Sequence, residues 1–203
     1  MQIVLTQYIV GNCEGLDKYL HAMESETRDM VPIISGVGKN LMTDPFYRYK
    51  MPSLQARIEG GRRKTKTVLI NLEDMCKSLN RPPLYVLKYF AYELGTSSQL
   101  SKLSGVNKYM LLGVFDVIKL REILAKFIDK FVICINCNNP ETKLIIDEPL
   151  TKKTDTSLSL LCQACGNHNR LSKNTRGVDN KMINYIVREH IQCEHSFAPA
   201  TTP

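Results

Sequence analysis

Cys134-Ile135-Asn136-Cys137 and Cys162-Gln163-Ala164-Cys165 are two C-x-x-C pairs separated by residues 138–161, and their pairing decides how this chain is read. Each pair can present two thiolates from a single turn. Two such turns brought together give a tetrahedral sulfur set that suits zinc. The segment between them is longer than the roughly 15–20 residues usual for such a site. Its sequence accounts for the excess: Lys143-Leu144-Ile145-Ile146 and Ser157-Leu158-Ser159-Leu160-Leu161 read as strands, and Asp147 to Thr156 reads as a polar loop. This is the layout of a zinc ribbon, with ligands on two knuckles at the ends of a small sheet. Two disulfides or a redox C-x-x-C would use the same residues, but the duplicated pair in a chain that reads as intracellular favours metal. The expectation is one structural Zn2+ per chain, held by Cys134, Cys137, Cys162 and Cys165. Four sulfur ligands leave no position open for substrate, so the ion is structural rather than catalytic.

The other cysteines carry less. Cys76 sits in an amphipathic stretch and reads as a small core residue. Cys13 has no assignable context. Cys193 lies in His190-Ile191-Gln192-Cys193-Glu194-His195, which reads as a helical tail rather than a second metal site, because the ribbon already has its ligands.

Working back from the ribbon, Val114 to Ile133 has helical periodicity, with Ile118, Ile123, Leu124, Phe127, Ile128 and Phe131 as its core stripe. Met110-Leu111-Leu112 is a short strand before Gly113. Leu84 to Leu94 reads as a helix closed by Gly95. An earlier helix has Leu72, Met75, Cys76 and Leu79 at helical spacing, Asn71 as its cap, and Arg81-Pro82-Pro83 as its stop. Leu54 to Glu59 alternates as a strand, Gly60-Gly61-Arg62-Arg63-Lys64 is a basic turn, and Thr67-Val68-Leu69-Ile70 is a β-branched, apolar strand. After the ribbon, Met182-Ile183, Ile186-Val187 and Ile191 indicate a final helix. Residues 1–41 are poorly periodic, with a break at Val31-Pro32. The fold class is therefore α+β: a small mixed α/β domain followed by a C-terminal four-cysteine zinc ribbon, with an extended N-terminal arm. The expected divisions are an N-terminal extension at 1–45 (disordered, or an artefact of the gene model), the α/β domain at 46–133, the ribbon at 134–175, and a C-terminal helix and tail at 176–203.

Phe46-Tyr47-Arg48-Tyr49-Lys50-Met51-Pro52 stands apart from this scaffold. A buried strand would not carry Arg48 and Lys50 without partners, because burying an unpaired charge is expensive. A solvated linker would rarely carry three large aromatics so close together. The run looks built to meet something outside the domain and negatively charged, and arginine can fork two hydrogen bonds onto a phosphate. The net charge of +7 is concentrated here: residues 46–88 hold ten Lys/Arg against three Asp/Glu, which leaves the rest of the chain neutral. Such a segment suits nucleic acid or the acidic surface of a ribonucleoprotein. A solvated basic face would have the same composition.

Several function classes find no support. The sequence contains no G-x-S-x-G or H-E-x-x-H, and no His lies near a nucleophile motif. Gly60 to Thr67 approximates a P-loop, but Thr65 replaces the second glycine and the stretch precedes a strand instead of following one. A basic hairpin turn describes it better. No apolar run approaches the roughly 20 residues that span a bilayer. The start, Met1-Gln2-Ile3-Val4-Leu5, lacks a basic n-region, so the expected location is cytoplasmic.

Taken together, Phe46 to Pro52, Lys66-Thr67-Val68, Asn80-Arg81-Pro82-Pro83, Lys88-Tyr89-Phe90, Glu93-Leu94-Gly95, Phe131-Val132-Ile133-Cys134 and Asn139-Pro140-Glu141-Thr142 stand in one order and spacing. Over about residues 44–190 the chain resembles the N-terminal domain of the eukaryotic translation initiation factor 5 family. The beta subunit of initiation factor 2 shares the architecture and is the near alternative. The resemblance implies a GTPase-activating protein, not an enzyme in its own right, acting on the gamma subunit of initiation factor 2 within the preinitiation complex. Arg48 matches the family's arginine finger, with Tyr47, Tyr49 and Lys50 as its positioning neighbours, and Lys66 and Lys88 match its supporting lysines. GTP would be contacted only in trans. Partners implied are the gamma and beta subunits of initiation factor 2, the small ribosomal subunit and initiator tRNA. The family carries a further helical-repeat domain after the ribbon, so the chain is expected to be a fragment or a reduced form. An RNA- or ribosome-binding ribbon module without GTPase activation would need the basic segment but not Arg48.

Overall fold

A computed structural model of the chain describes residues 30–33, 47–61, 64–103, 105–147, 157–172 and 177–196, with only the backbone described at 103 and 191–196. The elements in chain order are β1 (Met30–Pro32), β2 (Lys50–Pro52), β3 (Ala56–Glu59), β4 (Lys66–Leu69), α1 (Leu72–Leu79), α2 (Pro83–Leu94), β5 (Ser98–Leu103) and β6 (Val106–Leu112). They continue with α3 (Val117–Phe131), β7 (Thr142–Asp147), β8 (Ser157–Cys162), β9 (His168–Arg170) and α4 (Asn180–Ser196). The strands form three antiparallel sheets in the orders β1-β2, β3-β4-β6-β5 and β7-β8-β9. The α+β class with a cysteine-bearing sheet after the helices is as read from sequence.

Local chemistry explains the ends of the first two helices. Asn80 ends α1 in the left-handed region at φ 52°, and the backbone N–H groups of Asn80 and Arg81 donate back to Lys77 and Cys76. Pro83 opens α2, where a missing N–H costs nothing, and Gly95 closes it at φ 61°. Asn71 does not cap α1 with its side chain as expected. Its carboxamide turns instead to the preceding strand connection, accepting from Gln55 N at 2.8 Å and donating to Ser53 O at 2.7 Å.

The helices cover one face of the four-stranded sheet. Leu69, Tyr109 and Leu111 point into that side, where Tyr109 and Asn107 also donate to Glu73 of α1. One apolar core runs on from there through α2, α3, the ribbon residues Leu158 and Leu160, and Met182 and Ile186 of α4. Tyr89, Phe127 and Phe131 form its aromatic centre, with ring centroids 5.1–5.8 Å apart. The α3 stripe is corrected at one position: Leu120 is fully buried, whereas Ile118, in the first turn, is 65% exposed.

Two further differences bear on the site. Val31-Pro32 is no break but part of β1, which pairs with β2 and carries Ile33 into the core. Arg81 is more than a helix stop. Its guanidinium is buried and donates Nε and Nη2 to Phe131 O, Nη1 to Asn80 O and Thr142 O, and Nη2 to Thr142 Oγ1, at 2.7–3.0 Å. All five of its N–H donors are thus engaged, tying the ends of α1 and α3 to the first residue of β7. Burial draws the group down to about 10, still charged at neutral pH.

Candidate functional site

The cysteines lie on two knuckles with the same backbone. In the first, Cys134 N donates to Asn139 O and Asn138 N to Cys134 O, both at 3.0 Å. In the second, Cys162 N donates to Asn167 O at 2.9 Å and Gly166 N to Cys162 O at 3.0 Å. The residue after each second cysteine, Asn138 and Gly166, sits in the left-handed region at φ 55° and 69°. Asn and Gly are the residues that occupy it at least cost, so a residue tolerant of positive φ directly after each C-x-x-C is a sequence signal of the knuckle beyond the cysteine spacing. Gln163 N donates to Glu141 O at 2.8 Å and links one knuckle to the other.

The four sulfurs all lie within 4.8 Å of one another, with Cys134–Cys165 at 3.7 Å and Cys137–Cys162 at 3.5 Å. Those two pairs are far too long for disulfides. They match the edge of about 3.8 Å that a tetrahedron with metal–sulfur bonds of about 2.3 Å requires. The Asn167 N–H directed at Cys165 draws that thiol down, while burial pushes the neighbouring Cys137 thiol up, so the four sulfurs share their charge unequally until a cation neutralises it. The donor set and its geometry fit one metal ion, and a tetrahedral set of four thiolates suits zinc. The other cysteine readings divide: Cys76 is fully buried in α1, which pushes its thiol up to about 12. Cys13 and the side chain of Cys193 lie outside the described residues.

The aromatic-basic run lies against the first knuckle, apart from Phe46, which is outside the described residues. Tyr47 Oη donates to Ile33 O at 3.0 Å, and burial raises its phenol above the ordinary value. Its ring meets Tyr49 edge-on at 5.8 Å, and Asn139 Nδ2 donates to Tyr49 Oη at 3.3 Å. Between these held tyrosines, the Arg48 side chain is 82% exposed. Its Cζ is 5.8 Å from the Tyr49 ring centroid, and Nη2 is 4.0 Å from Glu141 Oε1. Such an exposed, screened pair contributes roughly 0–1 kcal/mol and is readily exchanged for a stronger anion.

The two lysines have other surroundings. Lys66 opens β4 on the sheet face turned away from the helices, where its Nζ donates to Gln99 Oε1 at 2.8 Å. Lys88 lies on α2 with its Nζ 5.4 Å and 5.5 Å from the ring centroids of Tyr92 and Tyr185. The partners described for Arg48, Lys66 and Lys88 do not overlap. Of the basic hairpin, Arg62 and Arg63 lie outside the described residues, and so does the 148–156 part of the polar loop.

Comparison with known proteins bears on this arrangement. A family described as a domain found in initiation factors 2B and 5 matches residues 39–168. The chain belongs to this family. Its relatives include a probable eukaryotic translation initiation factor 5 of Schizosaccharomyces pombe, 46% identical over 123 residues, or 61% of this chain and 29% of the relative. Eukaryotic translation initiation factor 5 of Saccharomyces cerevisiae is 44% identical over 123 residues, 61% of this chain and 28% of the relative. That of Drosophila melanogaster is 40% identical over 147 residues, 72% of this chain and 29% of the relative. The resemblance to the initiation factor 5 N-terminal domain is borne out, and the match takes in less than a third of each relative's length. Among the described residues no helix is long and apolar enough to cross a membrane.

Proposed function

We propose that this chain is a translation initiation factor that activates GTP hydrolysis by the initiation factor 2 ternary complex on the small ribosomal subunit. Arg48 is the arginine finger supplied in trans. The observation that carries this reading is the Arg48 side chain, 82% exposed between two held tyrosines, its described contacts being a 4.0 Å ion pair to Glu141 and the face of the Tyr49 ring. A guanidinium presented in this way can enter another protein's nucleotide site and neutralise the charge that spreads over the phosphoryl oxygens in the transition state. On this reading the chain supplies one cation to a nucleotide held elsewhere, so it acts as an activator of the gamma subunit and not as an enzyme. Lys66 and Lys88 support the contact from the basic segment. Zn2+ on Cys134, Cys137, Cys162 and Cys165 serves as structural metal, one per chain. Initiator tRNA and the beta subunit of initiation factor 2 complete the surroundings, in the cytoplasm. The proposed divisions are an N-terminal extension at 1–45, of which Met30 to Ile33 pairs with β2 and packs into the core, an α/β domain at 46–133, a ribbon at 134–175 and a helix and tail at 176–203.

The family description names a form of initiation factor 2 beside initiation factor 5, and this supports one second reading, a beta-subunit-like component of initiation factor 2. Single-turnover hydrolysis by GTP-loaded ternary complex on small subunits, with and without the chain, separates the readings. Acceleration supports the activator. Stable binding to the gamma subunit without acceleration favours the beta-subunit reading, and binding only to the ribosomal subunit leaves an RNA-binding module.

A further inference from the structure

The residues that hold the Arg48 segment in place come from the metal knuckle. Asn139 is fixed three ways: Cys134 N donates to its backbone carbonyl at 3.0 Å, Glu141 N donates to its Oδ1 at 2.7 Å, and its Nδ2 donates to Tyr49 Oη at 3.3 Å. On the other side, Ile33 N donates to Tyr49 O at 2.9 Å, which extends the β1–β2 ladder to the residue beside Arg48. Tyr49 is therefore clamped at its backbone by one element and at its hydroxyl by another, and its ring carries the Arg48 guanidinium on its face. Glu141, two residues past Asn139 and bonded by its backbone carbonyl to the second knuckle, reaches Arg48 only through the loose ion pair.

We propose that Asn139, set by the cysteine knuckles, is a positioning residue for Arg48 and acts through the hydroxyl of Tyr49. The proposal rests on the reading of Arg48 as an arginine supplied in trans. Its physical basis is tolerance: a catalytic group misplaced by about 1 Å can cost on the order of 100-fold in rate, although the bond that placed it is weak. Asn139 touches neither GTP nor the reacting phosphate, so it governs where Arg48 starts from and not how tightly the partner is held.

The test compares Asn139→Ala, Tyr49→Phe and Arg48→Ala in single-turnover hydrolysis, titrating each protein against ternary complex on small subunits. Tyr49→Phe removes one oxygen and leaves the knuckle backbone untouched, which guards against misfolding of the Asn139 variant. The expected result is a maximal rate at least ~10-fold below wild type for both, with half-saturating concentration and metal content unchanged in both. The urea midpoint should be unchanged for Tyr49→Phe, whereas Asn139→Ala also loses its bond from Glu141 N and melts slightly earlier. Combining the two should cost no more than either alone. Amide hydrogen exchange at residues 47–50 should quicken in both variants while the cysteine knuckles stay protected. Wild-type maximal rates for both variants, with Arg48→Ala inactive, would overturn the positioning role and leave the finger standing. Full activity of Arg48→Ala would overturn both.

Discussion

Replacing Arg81 by Ala tests the mechanical joint between the helices and the ribbon. The guanidinium donates five hydrogen bonds, to Asn80 O, to Phe131 O twice, to Thr142 O and to Thr142 Oγ1. Truncation leaves the buried carbonyls of Phe131 and Thr142 without these donors, and each unsatisfied buried group costs about 1–3 kcal/mol. Thr142 Oγ1 keeps its bond to Val132 O. Adding the lost packing of the buried stem, the expected loss is about 3–5 kcal/mol, in the range for breaking a buried charged network. For a chain of this size that is a fall in Tm of about 6–20 °C. Urea denaturation of metal-loaded wild type, Arg81→Ala, Arg81→Met and Arg81→Lys would measure it. Met fills the volume without donors and should recover only part of the loss. Lys keeps the charge but cannot fork, and should remain destabilised. A loss under about 1 kcal/mol for Arg81→Ala would refute the reasoning, since the five bonds would then carry no net stability.

Chelation of the metal should unfold the knuckles and lower Tm, and Cys137→Ser should reduce bound zinc well below one per chain; a metal-free protein with an unchanged melting curve would contradict the ribbon. Lys66→Ala removes an exposed bond to Gln99 and should change stability by less than about 0.5 kcal/mol while lowering GTPase activation several-fold, as read by single-turnover hydrolysis. Lys88→Ala loses two cation–π contacts worth about 0.5–1 kcal/mol each, so its unfolding midpoint should shift slightly and its activation should fall. Glu73 is held below its ordinary value of 4.5 by hydrogen bonds from Asn107 first and Tyr109 second. Because the folded value is the lower one, this stability is present above pH 4.5 and is lost as the pH falls through the folded value. Glu73→Gln should flatten the acid side of stability plotted against pH, and an unchanged acid limb would count against the assignment.

The metal knuckles were legible because ligand chemistry fixes residue type and spacing, and α1, α2, α3 and α4 because apolar periodicity survives without tertiary information. The misses have physical reasons. Asn71 read as a cap, but the strand connection at Ser53 and Gln55 offered its carboxamide two partners at once. β5 went unread because Ser98–Leu103 lacks β-branched residues, and an edge strand can be polar when its partner sets the register. Pro32 hid β1 for a related reason, being tolerated only on an edge. Ile118 falls on the apolar stripe of α3, but periodicity does not say where a helix leaves the interior. The role of Arg81 was invisible, since its acceptors lie 50 and 61 positions away. For Arg48, exposed charge among aromatics marked the residue, but only the folded chain shows Asn139 and Ile33 holding its neighbours.

The most direct test of the central claim is the maximal single-turnover rate of GTP hydrolysis by ternary complex on small ribosomal subunits with wild type, Arg48→Ala and Arg48→Lys. Wild type should accelerate hydrolysis. Arg48→Ala should lose most of that effect, toward the roughly 10³-fold or more by which such fingers act. Arg48→Lys should recover little, because an ammonium cannot fork onto a phosphate. Stability should be unchanged in both variants. Equal acceleration by wild type and Arg48→Ala would contradict the account.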